Sequence, residues 1–130
     1  MARKHILVVE DERPTLGLLE KMLGGAGYRI TGVPNGIAAL KVCRADPPDL
    51  VLLDLIIPGV DGFGVCTLLK RDCTAPIAVL SGRTNEKNVK AALDAGADAF
   101  LPLPLDRKPL LAKVAELLAA GQPSEPEPTP

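Results

Sequence analysis

Leu50-Val51-Leu52-Leu53-Asp54-Leu55-Ile56-Ile57-Pro58-Gly59-Val60-Asp61-Gly62 is the stretch that decides how this chain is read. Four apolar residues run into a single acid, three more apolar residues follow, and the chain breaks at Pro58-Gly59. A short unbroken apolar run bounded by turn residues suits a strand buried on both faces, as in a parallel sheet. Asp54 then lies at or just past the strand's carboxyl end, where open α/β sheets bind their ligands. A lone acid in such a place often just caps the following turn. Here apolar residues come next instead of the turn, and a carboxylate among them is costly to desolvate without a partner. A metal ion or a transferable group would supply one.

Working outward, the same alternation appears on both sides. His5-Ile6-Leu7-Val8-Val9 is a β-rich run ending in Glu10-Asp11-Glu12. Three acids there suit the solvated start of a helix, and Pro14 marks a first-turn position. Leu16, Leu19 and Leu23 recur at helical spacing before Gly24-Gly25. Tyr28 to Val33 is a second strand, and Ile37 and Leu40 set the apolar face of a helix from Gly36 to Ala45. After the central strand, Val65, Leu68 and Leu69 share one face of a third helix. Ile77-Ala78-Val79-Leu80 is a fourth strand ending at Ser81-Gly82. Asn85 is placed to cap a helix with Val89, Ala92 and Leu93 inward and Gly96 as its terminator. Ala99-Phe100-Leu101 is a short fifth strand. Asp106 caps a last helix whose buried stripe is Leu110, Leu111, Val114, Leu117 and Leu118.

Composition sets the class. The 130 residues suit one domain with a sizeable core, and aromatics at 2 % require that core to be aliphatic. The folded unit is expected over residues 1–121. Residues 122–130, with four prolines and nothing apolar, form a disordered tail or linker stub. Two of the 16 acids, Glu125 and Glu127, fall in that tail, which leaves 15 basic residues against 14 acids in the domain. Near-neutrality gives no electrostatic case for direct nucleic-acid binding or for an acidic membrane. The four apolar residues after His5 are too few for a signal peptide or a membrane span. Cys43, Cys66 and Cys73 are odd in number and lack metal-ligand spacing, so they are expected to be reduced thiols of a cytoplasmic protein. His5 has no ligating neighbour in sequence. Gly24-Gly25-Ala26-Gly27 ends a helix instead of following a strand, so it is no dinucleotide fingerprint.

Five strand–helix pairs predict an α/β fold, a parallel sheet with helices on both faces. Glu10-Asp11, Asp54 and Ser81 all follow strands, so they converge at one edge of that sheet. In order and spacing, Val8-Val9-Glu10-Asp11-Glu12, Leu52 to Gly62, Ser81-Gly82 and Ala95-Gly96-Ala97-Asp98-Ala99-Phe100 resemble the receiver domain of bacterial two-component response regulators. The resemblance covers roughly residues 4 to 120. It implies a flavodoxin-like (βα)5 three-layer sandwich with a five-stranded parallel sheet in the order 2-1-3-4-5.

The resemblance also implies roles. Asp54 matches the acid that accepts a phosphoryl group from a histidine kinase or phosphotransfer protein. Glu10 and Asp11 match the acid pair that holds Mg²⁺ together with Asp54, and the backbone carbonyl of Ile56 matches a further ligand. Ser81 matches the hydroxyl that meets the phosphoryl oxygen, and Phe100 the aromatic switch residue. A downstream protein or a fused output domain is the implied recipient of the signal. A homodimer through the fourth helix, fifth strand and fifth helix is an implied arrangement.

The chemistry supports these assignments on its own terms. Phosphoryl transfer depends on positioning and charge neutralisation, and Mg²⁺ takes carboxylates, phosphate oxygens and water. One family position differs. Leu103 stands where receivers usually carry a lysine that reaches the phosphoryl group. Lys108-Pro109 resembles a displaced copy, but that register would put the lysine in the first turn of the last helix. Arg83 is the nearer cation in sequence. Two function classes follow: a phospho-accepting signalling receiver, favoured by the intact acids, and a pseudo-receiver that binds proteins without switching, favoured by Leu103. A phosphohydrolase with an aspartate nucleophile is a third class, but Asp54-Leu55-Ile56 lacks its second acid.

Overall fold

The computed structural model describes residues 3–54, 62–81, 86–103 and 106–121. Ile56, Arg83, Asn85, Leu105 and the tail from 122 lie outside the described residues. Among the described residues five strands and five helices alternate: β1 His5–Val9, α1 Arg13–Gly25, β2 Arg29–Val33, α2 Gly36–Ala45, β3 Leu50–Asp54, α3 Gly62–Asp72, β4 Ile77–Ser81, α4 Glu86–Asp94, β5 Ala99–Pro102 and α5 Arg107–Gly121. The strands form one parallel sheet in the order β2-β1-β3-β4-β5. This is the flavodoxin-like (βα)5 arrangement expected.

The three central strands are unbroken apolar runs because both of their faces are covered. Leu7, Val9, Val51, Leu53, Ile77 and Val79 point to one layer, where they meet Ala39 of α2, Val65, Cys66 and Leu69 of α3, and Ala92 of α4. Ile6, Val8, Leu50, Leu52, Ala78 and Leu80 point to the other, where Leu19 and Leu23 of α1 and Leu110 and Val114 of α5 close over them. The core is aliphatic, as the composition required. β5 is an edge strand, so Pro102, opposite Ser81 in the ladder, costs no interior hydrogen bond.

Several local expectations are corrected. The buried face of α2 is Gly36, Ala39 and Cys43, and Ile37 is 71 % exposed. The reason is a close approach: a Cβ on Gly36 would lie 2.8 Å from a Val65 methyl, so α2 turns its smallest residues towards α3. Leu68 and Leu93 are likewise exposed, while Leu69 and Ala92 are buried beside them. Gly24 and Gly25 belong to α1, and the turn is made by Gly27 at φ +97°. Gly96, at φ +107°, ends α4 as anticipated.

The cysteines are the largest correction. Cys43, near the end of α2, and Cys73, directly after α3, form a disulfide with their Cα atoms 5.9 Å apart. Only Cys66 is a free thiol, buried in α3. Packing of α2 against α3 brings together two residues 30 apart in sequence, a contact that spacing alone does not encode.

Candidate functional site

Parallel strands present all their carboxyl ends at one edge, and side chains just past those ends meet there. Between β1 and β3 the strand order reverses direction, so the helices after them diverge to opposite faces and leave a crevice. Val9 pairs with Leu53, which sets Glu10 beside Asp54 across that switch point. Asp54 pairs with Leu80, so Ser81 stands one residue beyond Asp54 on the neighbouring strand.

Glu10, Asp11 and Asp54 each offer a carboxylate oxygen, and these oxygens all lie within 4.8 Å of one another. Of the three acids after β1, only Glu12 is an exposed helix start, as the N-cap of α1, and Glu10 is turned inward instead. Glu10 is 2 % exposed, and α1 begins only at Arg13. Glu10 Oε1 accepts the backbone N–H of Glu12 at 3.0 Å, a contact the sequence did not reveal. Glu10 Oε2 is buried with no hydrogen-bond partner among the described residues. Burial pushes the Glu10 carboxyl up to about 8, the Asp54 and Asp11 carboxylates add to the rise, and the Glu12 N–H opposes it. Like charges in a desolvated site disfavour ionisation. A cation among the three oxygens relieves that repulsion, and without one a proton held between Glu10 and Asp54 meets the same need.

This all-oxygen set of hard ligands fits Mg²⁺, which binds through one or two carboxylates and retains water. A buried oxygen without a donor is what a cation ligand looks like before the cation binds.

The remaining expected residues sit around this cluster. Ser81 is buried, and its carbonyl accepts the Leu103 N–H at 2.8 Å. Phe100 pairs with Val79 and is half-buried against the α2–α3–α4 layer. Leu103 is half-buried and packs against the α1–α5 layer, the cluster that contains Leu101 and Leu110. Asp98 accepts the Ile77 N–H at 2.8 Å and the Lys70 ammonium at 2.6 Å, which fixes the start of β5 against β4 and α3.

Residues 6–115 match the response regulator receiver domain family. The chain is 35 % identical over 114 residues to the transcriptional regulatory protein CseB of Streptomyces coelicolor, covering 88 % of this chain and 49 % of that one. It is 38 % identical over 112 residues to the DNA-binding response regulator MtrA of Mycobacterium tuberculosis, covering 86 % and 49 %. The chain thus spans about half the length of the curated relatives it matches. Among solved structures, a putative response regulator from Chloroflexus aurantiacus superposes with a TM-score of 0.85 at 29 % identity, over 91 % of this chain and 99 % of that one. The receiver domain of the sensor histidine kinase PA1611 from Pseudomonas aeruginosa, solved with a magnesium ion in its active-site cleft, superposes with a TM-score of 0.83 at 27 % identity, over 91 % and 99 %. Sheet order, the acid cluster at the switch point and these matches together make the chain a member of the response regulator receiver domain family of bacterial two-component systems.

Proposed function

We propose that the domain accepts a phosphoryl group on Asp54 from a histidine kinase or phosphotransfer protein and passes the signal on through protein–protein contacts. Its cofactor in this reading is Mg²⁺, held by Glu10, Asp11 and Asp54 with the backbone carbonyl of Ile56, and it is not itself an enzyme. Bound there, Mg²⁺ would neutralise charge on the carboxylates and the incoming phosphoryl oxygens. The observation that carries the reading is the convergence of the three carboxylates at the β1/β3 switch point, with a buried Glu10 oxygen that lacks a donor among the described residues.

The chain's own groups have separable tasks. An Asp54 carboxylate oxygen attacks phosphorus as the donor's bond to phosphorus breaks, leaving an acyl phosphate on Asp54 and the donor's leaving group free. Glu10 and Asp11 hold the charge balance that makes this attack possible. The Ser81 hydroxyl, on the adjacent strand end, donates to a phosphoryl oxygen, a charge-assisted bond. Phe100 and the surface of α4, β5 and α5 carry the change to a partner, which is a downstream protein, a fused output domain or a second copy.

We take the folded unit as residues 1–121 and residues 122–130 as a tail or linker stub. A cytoplasmic location accords with the kinase partner. No helix among the described residues is long and apolar enough to cross a membrane. DNA binding, in the names of relatives about twice as long, would reside outside this domain.

Incubation with acetyl phosphate and Mg²⁺, followed by intact mass, tests the assignment. The expected result is one acid-labile phosphoryl group on the wild type and none on Asp54→Asn. Label retained by the variant would remove Asp54 from its role. The second reading, a pseudo-receiver, is favoured by one observation: Leu103 packs into the α1–α5 layer and brings no charge to the site. A wild type that binds Mg²⁺ yet never takes label would favour it.

A further inference from the structure

The disulfide offers a second, independent function. Cys43 and Cys73 bracket β3 and α3, tying the chain before the central strand to the chain after the third helix. A salt bridge repeats the same link, since Arg44 donates to Asp72 at 2.8 Å from the adjacent positions. Both ends are otherwise anchored without sulfur. The Asp46 N–H donates to the Val42 carbonyl, and the Cys73 N–H donates to the Leu69 carbonyl. Two apolar layers on a five-stranded sheet hold the fold together. A domain of this size needs no covalent staple to bury a core, so the dithiol form is a folded alternative.

We propose that Cys43 and Cys73 are a reversible redox pair, oxidised by low-molecular-weight disulfides, which locks the α2–β3–α3 unit against opening. At 4 % and 6 % exposed both cysteines are nearly buried, which shuts out a protein thiol and leaves a small disulfide, entering as α2 and α3 part, as the reagent. In the oxidation, one cysteine thiolate attacks the reagent disulfide, forms a mixed disulfide and expels one reagent thiolate. The second cysteine thiolate then attacks the protein-bound sulfur and expels the other. Two electrons pass to the reagent, and the two protons leave with its thiols. Cys66 stays out of the exchange, because it is fully buried and burial pushes its thiol up, away from the reactive thiolate. None of this depends on whether Asp54 accepts a phosphoryl group.

The test equilibrates the full chain in graded mixtures of reduced and oxidised glutathione, then traps thiols with N-ethylmaleimide for intact mass and peptide mapping. The expected result is a graded, reversible loss of two hydrogens confined to the Cys43–Cys73 pair, with Cys66 alkylated only after unfolding. Hydrogen exchange of the most protected amides in β3 and α3 should be slower by roughly 100-fold or more in the oxidised form, from the closure of a 30-residue separation. Cys73→Ser and Cys43→Ala should each fold and show no redox dependence of exchange. A pair that stays reduced in every mixture, stays oxidised in every mixture, or links to Cys66 or to another chain would overturn the proposal.

Discussion

Replacing Glu10 with glutamine isolates the electrostatic cost built into the site. The wild-type carboxyl moves from an ordinary 4.5 to about 8, chiefly through burial and then through Asp54. In the unfolded chain the group returns to its ordinary value, so between pH 4.5 and 8 the folded state holds more protons than the unfolded state. Stability therefore falls as pH rises through that window. The contribution is fully present below 4.5 and lost above 8. At roughly 1.4 kcal/mol per pH unit, the full displacement corresponds to an upper bound of about 5 kcal/mol, and relaxation around the coupled carboxylates brings the expected loss to about 2–5 kcal/mol.

Glu10→Gln keeps the shape and the hydrogen bond from the Glu12 N–H but cannot ionise. In metal-free buffer its stability should vary with pH by markedly less than the wild type, and it should be the more stable protein at pH 8. Mg²⁺ should then raise wild-type stability at pH 8 far more than at pH 5, where the proton competes for Glu10, and should do little for the variant. Urea unfolding followed by circular dichroism at several pH values measures all of this, and it suits a chain that lacks tryptophan. Parallel pH profiles for the two proteins in metal-free buffer would refute the reasoning, because they would mean that Glu10 ionises freely in the folded state.

Asp11→Asn should weaken Mg²⁺ binding by calorimetry at least tenfold, about 1.4 kcal/mol, since the cation loses a charged ligand; unchanged affinity would remove Asp11 from the site. Reducing the Cys43–Cys73 bond should lower stability by about 3–4 kcal/mol on the chain-entropy argument for a 30-residue separation, read from urea midpoints with and without reductant. A charge reversal at the exposed Lys90 of α4 should leave the unfolding midpoint within about 0.5 kcal/mol and weaken partner binding measured by pull-down or sedimentation; partner binding that instead follows Ile37 on α2 would relocate the contact surface. Leu103→Lys should strengthen the NMR shifts of Phe100 and α4 on adding Mg²⁺ and beryllofluoride, because a hydrogen bond to a charged group contributes about 1.5–3 kcal/mol; full shifts in the wild type would show that leucine is no handicap there.

The parts of the molecule legible in sequence are those set by short-range pattern. β1, β3 and β4 appear as apolar runs because a central parallel strand has no wet face, and the polar residue ending each run marks the same sheet edge. The α5 stripe is legible because its apolar residues fall on one side at helical spacing: Leu110, Val114, Leu117 and Leu118 are buried, and Leu111 is half-buried at the stripe's margin. What pattern cannot supply is the rotation of a helix whose apolar residues are few. Ile37 and Leu40 outweigh Ala39 and Cys43 in hydrophobicity, yet the close contact between Gly36 and Val65 decides the face. The burial of Glu10 was hidden for a related reason. Three consecutive acids suit a helix start, and only the pairing of Val9 with Leu53 puts the first of them against Asp54. The disulfide was out of reach because its two cysteines meet through the α2–α3 packing alone.

Leu103 has two connections in the structure, and they point in different directions. Its side chain packs against the α1–α5 layer. Its backbone N–H reaches the carbonyl of Ser81, the residue beyond Asp54 on the neighbouring strand. A lysine at this place would join the loop after β5 to the site by charge, through a flexible side chain. Leucine leaves only the main-chain link, which is insensitive to charge but rigid, since Pro102 precedes it and the side chain is seated among packed neighbours. Movement of Ser81 would therefore be transmitted to the loop mechanically, through a backbone hydrogen bond, and the loop could follow only if Leu103 left or shifted within its apolar seat. That seat resists the change by the free energy of burying part of a leucine side chain, on the order of 1–2 kcal/mol. In the proposed phosphorylation switch this resistance would add to the absence of a charge-assisted bond of comparable size, and both would favour the unphosphorylated arrangement.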